Sequence, residues 1–472
     1  MVDSLIAGGT VVTQNAEREW LRDGAVAIED GEIRAVGPAA RLRQAVDADE
    51  TVDASGHLVL PGFVDPHVHV SDILLRGYTG EDRGLFDWIH NVKSPGVAAM
   101  SVEDHRTAAA LFCAEALGAG VTTFVENDLD PVWSAETARA KLDTYGTAGV
   151  RTVYGRGIAD VAPSGEFAAL KRNKERREPG VDHLPVTEPP PLDAQLESTE
   201  ALVEAVADTD RQTVWPAPGI VEGTSAEALR RSLSLAEEYD VMTTTHVSES
   251  RLQENRATSV VEYLDDVGYL GERTLLGHCV HVSDRDVRLL AETGTRVSHN
   301  LPTNLRLGSG IAPLRELRAR GVPVGLGTDN ATLSDTVDPL TDARYAALVH
   351  KGDSEDPGAV TAQDALDMIT IEAARTVGRA EDLGSIEAGK RADIVLVDAD
   401  RPHLTPSPNP VDTVVYAAHA SDVDTVFCDG ERVVADGSAT TLSSSHPNLL
   451  EAATDAAADL VERTGIETTR DH

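Results

Sequence analysis

Pro61-Gly-Phe-Val-Asp-Pro-His-Val-His69 is the stretch on which the fold of this chain turns. Pro61, Gly62 and Pro66 disfavour a helix here. In an extended strand, residues two apart face the same side, so His67 and His69 can offer two imidazoles to one ion while Val68 faces the opposite side. His-x-His alone is weak evidence in a chain with 15 histidines. Its meaning depends on what the rest of the chain brings to the same place.

Working outward, apolar strand-like runs alternate with amphipathic helical stretches, the pattern of repeated βα units around a parallel sheet. Eight strand candidates follow one another: Val59 to His69, Val121 to Glu126, Arg151 to Ile158, Thr213 to Pro218, Val241 to Val247, Thr274 to Cys279, Thr295 to His299, and Val322 to Thr328. Eight in succession predict an α/β fold of the (β/α)8 barrel type over 61–383, with functional residues at the C-terminal strand ends. His67, His69, Glu126, His246, His278, His299 and Asp329 all fall at or just beyond those ends.

Both ends of the chain read differently. Residues 1–60 carry short β elements, Ser4 to Ala7, Thr10 to Thr13, Gly24 to Glu29 and Glu32 to Val36, with Asp30-Gly31 as a hairpin signal. A second such block spans 384–440, and the two are expected to form one composite β-sandwich module, followed by a helical tail over 441–472. The stretch 161–212 breaks the βα repeat and is expected to be a lid-like insertion. Its basic run, Lys171 to Arg177, reads as a solvated helix face balancing acidic neighbours.

With 79 acidic against 41 basic residues, the net charge of −38 opposes nucleic acid and anionic membranes as partners. Only six of the bases are lysines, and the acid excess is spread along the chain. A hypersaline cytoplasm would account for both features, since dense carboxylates keep a protein hydrated where salt screens charge. No apolar run approaches the ~20 residues needed to cross a bilayer. The N-terminal stretch lacks a basic segment followed by an apolar signal core, so a cytoplasmic protein is expected. Cys113, Cys279 and Cys428 are too scattered for a disulfide framework and read as small buried hydrophobes.

The remaining chemistry gathers in three motifs. Thr243-Thr-Thr-His-Val-Ser-Glu249 ends a strand with His246 and places Glu249 three residues on, one a ligand and the other a proton-transfer group. In Leu276-Gly-His-Cys-Val-His281, His278 lies nearer the strand end and is the site candidate, whereas His281 is assigned to structure. Gly325-Leu-Gly-Thr-Asp329 ends the eighth strand in a carboxylate that can bind a cation and accept a proton from water.

Together these motifs resemble the amidohydrolase superfamily, in its branch of triazine hydrolases, chlorohydrolases and methylthioadenosine/S-adenosylhomocysteine deaminases. Further matches are Ile73 to Gly77, Asp87-Trp88, Cys113 to Ala116, Trp215 to Pro218, Gly308 to Pro313 and Gly384 to Asp393. Trp215 to Pro218 points to the triazine hydrolases in particular. The resemblance implies one divalent metal, zinc or ferrous iron, on His67, His69, His246 and Asp329. It further implies Asp329 and His278 as proton acceptors and Glu249 as proton donor to a ring nitrogen. Trp88, Glu126, Asn304 and Asn330 are the candidate substrate contacts, and a homo-oligomer is expected.

The expected activity is hydrolytic deamination of an aminated nitrogen heteroaromatic: a purine, pterin, pyrimidine or triazine. Displacement of another ring substituent, as in the chlorohydrolases, uses the same attack. Pro95-Gly-Val97 stands where the nucleoside deaminases have a glutamate for ribose hydroxyls, and Gly219 where they have a histidine, which argues against a ribose. Leu333 stands where the triazine enzymes carry a small polar residue, leaving the leaving group open. A non-catalytic barrel scaffold would have shed ligands that this chain retains.

Overall fold

The computed structural model describes residues 2–78, 80, 83–129, 133–161, 189–254 and 258–466. Eight parallel strands run in order: β1 (Phe63–His69), β2 (Val121–Asp128), β3 (Arg151–Ile158), β4 (Gln212–Pro218), β5 (Thr243–Val247), β6 (Thr274–His278), β7 (Arg296–His299) and β8 (Val324–Leu326). They pair as two arcs, β1 to β4 and β5 to β8. A two-residue strand, β9 (Asp329–Asn330), follows β8 and pairs with β1, Asp329 lying opposite Val68. A bridge between Ile220 and His246 spans the other seam. The result is the expected (β/α)8 barrel.

Helices on the outside begin where the sequence supplies caps. Ser101, Ser134, Ser225, Ser259 and Ser283 each accept a backbone N–H from the first turn of the helix that follows, each cap stabilising by about 1 kcal/mol. Val64, Val125, Val153, Trp215 and Leu275 form one apolar cluster among residues of these strands. Alternation along β2 sends Phe124 the other way, edge-on to Phe112 and Tyr145 of the surrounding helices.

A nine-stranded sheet joins both ends of the chain, as expected of the composite module. Its join is antiparallel pairing of His57–Pro61 with Ile394–Asp398, Leu60 opposite Val395. Val59 to Pro61 therefore belongs to this sheet and not to the barrel strand with which it was grouped. Ser4 to Ala7 and Thr10 to Thr13, expected as two elements, form one strand, Val2–Val12, because Gly8-Gly9 makes an irregularity in its pairing and not a turn. Asp30-Gly31 closes a hairpin with both residues in the left-handed region (φ 52° and 77°), and Asp429-Gly430 does the same. Arg151 of β3 reaches into the module, pairing with Asp393 at 3.3 Å and Asp429 at 2.5 Å.

Of the stretch 161–212, residues 162–188, with the basic run 171–177, lie outside the described residues. Helix Leu192–Val206 follows and packs against β4. Near the C-terminus, helix Leu449–Thr464 packs on helix Val102–Gly118; residues 467–472 are outside the description. All three cysteines are free and buried. Among the described residues, no helix is long and apolar enough to cross a membrane.

Candidate active site

Four imidazoles and one carboxylate converge at the C-terminal mouth of the barrel. His67 and His69 end β1, His246 lies in β5, His278 ends β6 and Asp329 opens β9. Asp329 Oδ1 is 3.5 Å from Nε2 of both His67 and His69. His69 Nε2 and His246 Nε2 are 3.1 Å apart, and the His67 ring centroid lies 4.7 Å from that of His246 and 5.3 Å from that of His278. Potential ligand atoms of His67, His69 and Asp329 all lie within 4.8 Å of one another, as do those of His67, His246 and His278.

What turns these rings inward is visible on their far sides. His69 Nδ1 donates to the Asn127 carbonyl at 2.7 Å, and His246 Nδ1 to the Gly219 carbonyl at 2.8 Å. The Asn127 carboxamide meets His67 Nδ1 at 3.0 Å, and the Asn304 carboxamide meets His278 Nδ1 at the same distance. Each ring thus has one nitrogen tied behind it and Nε2 directed toward the cluster, the arrangement of metal-ligating histidines. His67 Nε2 is buried without a hydrogen-bond partner. A buried imidazole nitrogen left so is costly unless a cation takes it, and the donor set suits a borderline divalent ion.

Close backbone approach makes room for His67. A Cβ on Gly277 would stand 2.9 Å from His67 Cε1, and one on Gly327 would stand 2.9 Å from His67 Cβ and 2.6 Å from Ser298 Oγ. Thr328, next in line, donates its hydroxyl to Asp65 at 2.6 Å, locking the turn that delivers Asp329. Ser248, His278, Cys279 and Asp329 all adopt positive φ, between 48° and 71°. Such conformations cost non-glycine residues about 1–3 kcal/mol each and gather where function demands them.

Burial dominates the electrostatics. It lowers His246 to about 4 and holds His67, His69 and His278 well below the usual imidazole range, so all four rings are neutral, as ligation requires. Burial, reinforced by the Asp329 charge, pushes Glu249 well above the ordinary carboxyl range. Asp329 is raised to about 7, again chiefly by burial. Glu249 Oε2 lies 3.6 Å from His278 Nε2. A cavity of about 590 Å³ opens over the cluster, touching His69, His246, Glu249, His278 and Asp329, with walls of Phe86, Trp88, Leu129, Ile158 and Ile220.

The family model described as "Amidohydrolase family" matches residues 58–433. The chain belongs to the amidohydrolase family. A short stretch, 24–45, also matches the model of the imidazolonepropionase-like composite domain of bacteria. Among curated relatives of this amidohydrolase, the 5′-deoxyadenosine deaminase of Methanothermobacter thermautotrophicus is 35% identical, covering 93% of this chain and 95% of its own. An adenosine deaminase from Xanthomonas campestris, solved with bound zinc, superposes with a TM-score of 0.86 at 25% identity, covering 99% of both chains. Atrazine chlorohydrolase from Arthrobacter aurescens shares the fold, with a TM-score of 0.84 at 24% identity over 96% of this chain and all of that one. Both arms of the expected branch, the triazine hydrolases and the nucleoside deaminases, are thus represented among the similar proteins.

The amidohydrolase's sequence-predicted residues separate into groups. His67, His69, His246, Glu249, His278 and Asp329 come together. Trp88 and Asn330 line the cavity, and Asn330 donates to Asp72. Asn304 stands behind His278 and is not among the cavity-lining residues. Glu126 leaves the mouth altogether: it faces the outer helices, pairs with Lys141 and accepts from Tyr145 at 2.6 Å. His299 also faces outward, its Nε2 3.0 Å from His350 Nε2. His281 holds the Ser309 carbonyl at 2.8 Å, a structural role. Sequence reasoning missed Asn127, which anchors two imidazoles, and Lys93, on the cavity wall. Asn127 was one position from Glu126, and strand alternation was the available signal.

Proposed function

We propose that this amidohydrolase is a hydrolytic deaminase of an aminated nitrogen heteroaromatic, working with a single zinc ion on His67, His69, His246 and Asp329. The observation that carries the reading is the placement of Glu249 and His278 beside that cluster, in a cavity of about 590 Å³ that admits a heteroaromatic ring and its substituents. When bound, the ion supplies Lewis acidity, lowering the pKa of a water from 15.7 toward ~7. The zinc-bound adenosine deaminase fold and the deaminase relative support both the metal and ammonia as the leaving group.

The chain's own residues divide the proton work. Asp329 and His278 accept the proton of the attacking water as its oxygen joins the amino-bearing ring carbon. Glu249, kept protonated by burial, donates to the adjacent ring nitrogen, so the addition product carries no ring anion. The carbon–nitrogen bond then breaks and ammonia departs with a proton returned by the same groups. Trp88 and the aliphatic walls hold the flat ring and exclude water.

Ammonia and chloride release, assayed over a panel of purines, pterins, pyrimidines and triazines with zinc content measured in parallel, tests the reading. Ammonia from at least one ring is expected; chloride release alone would replace deamination with dechlorination on the same residues. A homo-oligomer in the cytoplasm belongs to the same reading, and light scattering of the purified protein measures the first part.

A further inference from the structure

One cation stands on the wall of the catalytic cavity among the described residues, and neither the ligand cluster nor the proton relay uses it. Lys93 lies within a helical stretch that begins with Leu85–Trp88, continues through Ile89–Lys93 and runs on into Ser94–Ala98. Only 8% of its surface is exposed, yet it lines the cavity together with Trp88, Asn330 and the catalytic groups. Its ammonium lies 3.2 Å from Asp72 Oδ2 and 5.6 Å from the centroid of the Trp88 ring. Asp72 is buried beneath the wall and does not line the cavity.

Burying an ammonium in so apolar a wall is expensive. Asp72 offsets part of that cost, but a lysine ammonium has three N–H donors, and Asp72 supplies one oxygen that also accepts from Asn330. Beside it, the Trp88 indole Nε1 is buried with no hydrogen-bond partner. Lys93 thus sets a positive charge on a cavity whose other walls are largely aliphatic and aromatic. A ring seated with its amino-bearing carbon at Asp329 and Glu249 shares this cavity with Lys93.

We propose that Lys93 is a specificity-determining residue which receives an oxygen of full or partial negative charge on the substrate ring, either a carboxylate substituent or a ring carbonyl. The inference rests on the ring-deaminase reading and narrows its substrate class to oxygen-bearing aminated heteroaromatics. Neutral sugar hydroxyls have less to gain from an ammonium than such an oxygen does.

The test is equilibrium binding to zinc-loaded Glu249→Gln protein, which removes turnover from the measurement. Pterin against pterin-6-carboxylate reads the pendant carboxylate; adenine against 2-oxoadenine reads the ring carbonyl. Tighter binding is expected of pterin-6-carboxylate than of pterin, which already carries a ring carbonyl, or of 2-oxoadenine than of adenine, or of both. Lys93→Met should lower that preference by roughly 10- to 100-fold, the size of one charged hydrogen bond, while Lys93→Arg keeps most of it. A ratio taken within one variant does not move if Lys93→Met merely lowers stability. Preferences unchanged in Lys93→Met, or 5′-deoxyadenosine bound more tightly than every oxygen-bearing ring by both proteins, would overturn the proposal. Failure of any ring to release ammonia with the unsubstituted enzyme would count against deamination and leave these binding ratios readable.

Discussion

Two sets of polar side chains stand at the C-terminal ends of the barrel strands, and they differ in the face of the strand each occupies. Inward go His67, His69 and His246, whose imidazoles gather with Asp329 and His278, and Asn127, which holds two of those rings from behind. Outward go Glu126 and His299, each paired with an outer helix, through Lys141 and His350. Residue type and strand-end position are alike in the two sets. Because side chains alternate along a strand, a shift of one position exchanges a catalytic mouth for a helix-packing layer. Inner residues should therefore govern metal and rate, and outer residues stability.

The largest effect that can break this division belongs to Glu249. Glu249→Gln keeps the shape and removes the transferable proton, so kcat should fall by about 10³-fold or more, while zinc content by elemental analysis is unchanged. Retained turnover would remove Glu249 from the proton relay. Next is Asn127, which touches the cluster only from behind. Asn127→Leu leaves its carbonyl on His69 but strips His67 Nδ1 of its anchor. Zinc affinity by chelator competition should weaken roughly 10- to 100-fold, the usual effect of losing such an outer partner. Unchanged affinity would mean that the Gly277 and Gly327 walls alone hold the ring.

Glu126→Gln probes the outer layer and should reverse the pattern. Lys141 would lose its nearest countercharge in a place with 1% exposure, although Asp128 remains 3.4 Å away. Removing one partner of a buried pair costs about 3 kcal/mol, seen as a lower urea midpoint, with kcat/KM and zinc content within about twofold of the parent. A selective rise in KM with stability intact would restore Glu126 as a substrate contact.

The strand-end positions were legible beforehand; the division between their faces was not, since Glu126 and His299 were placed at the mouth with the ligands. The strand ends and the ligand motifs follow from local composition, which the barrel preserves. The face that Glu126 takes does not, because each side of Val121 to Glu126 carries one threonine beside apolar residues, so alternation separates Glu126 from Asn127 without deciding which of them faces in. Lys93 lies in a helical segment between β1 and the first outer helix, where no strand-end rule applies, and only tertiary packing folds it onto the cavity. Asn304 was placed near the site but one layer too far forward: it grips the back of His278. Sequence reads which residues are chemically capable; packing decides which are in contact with the ring and which with each other.

The smallest expected effect is also the sharpest check on the outer set. His299 and His350 are both held below the ordinary imidazole range by burial, to about 3 and about 4, so the pair is neutral at pH 7. One neutral hydrogen bond joins them, and His299 Nδ1 has no partner. Changing either residue to Leu leaves the other ring with a buried nitrogen unmatched, a cost of about 1–2 kcal/mol. Changing both removes the unmatched nitrogen as well, and apolar replacement of both members of a buried hydrogen bond is close to neutral. The double variant should therefore be more stable in urea than either single one, with zinc content unaltered in all three. Loss of zinc from His299→Leu would show that the outer layer reaches the cluster after all, through the Ser298 and Asn300 side chains that flank it and meet at 2.7 Å.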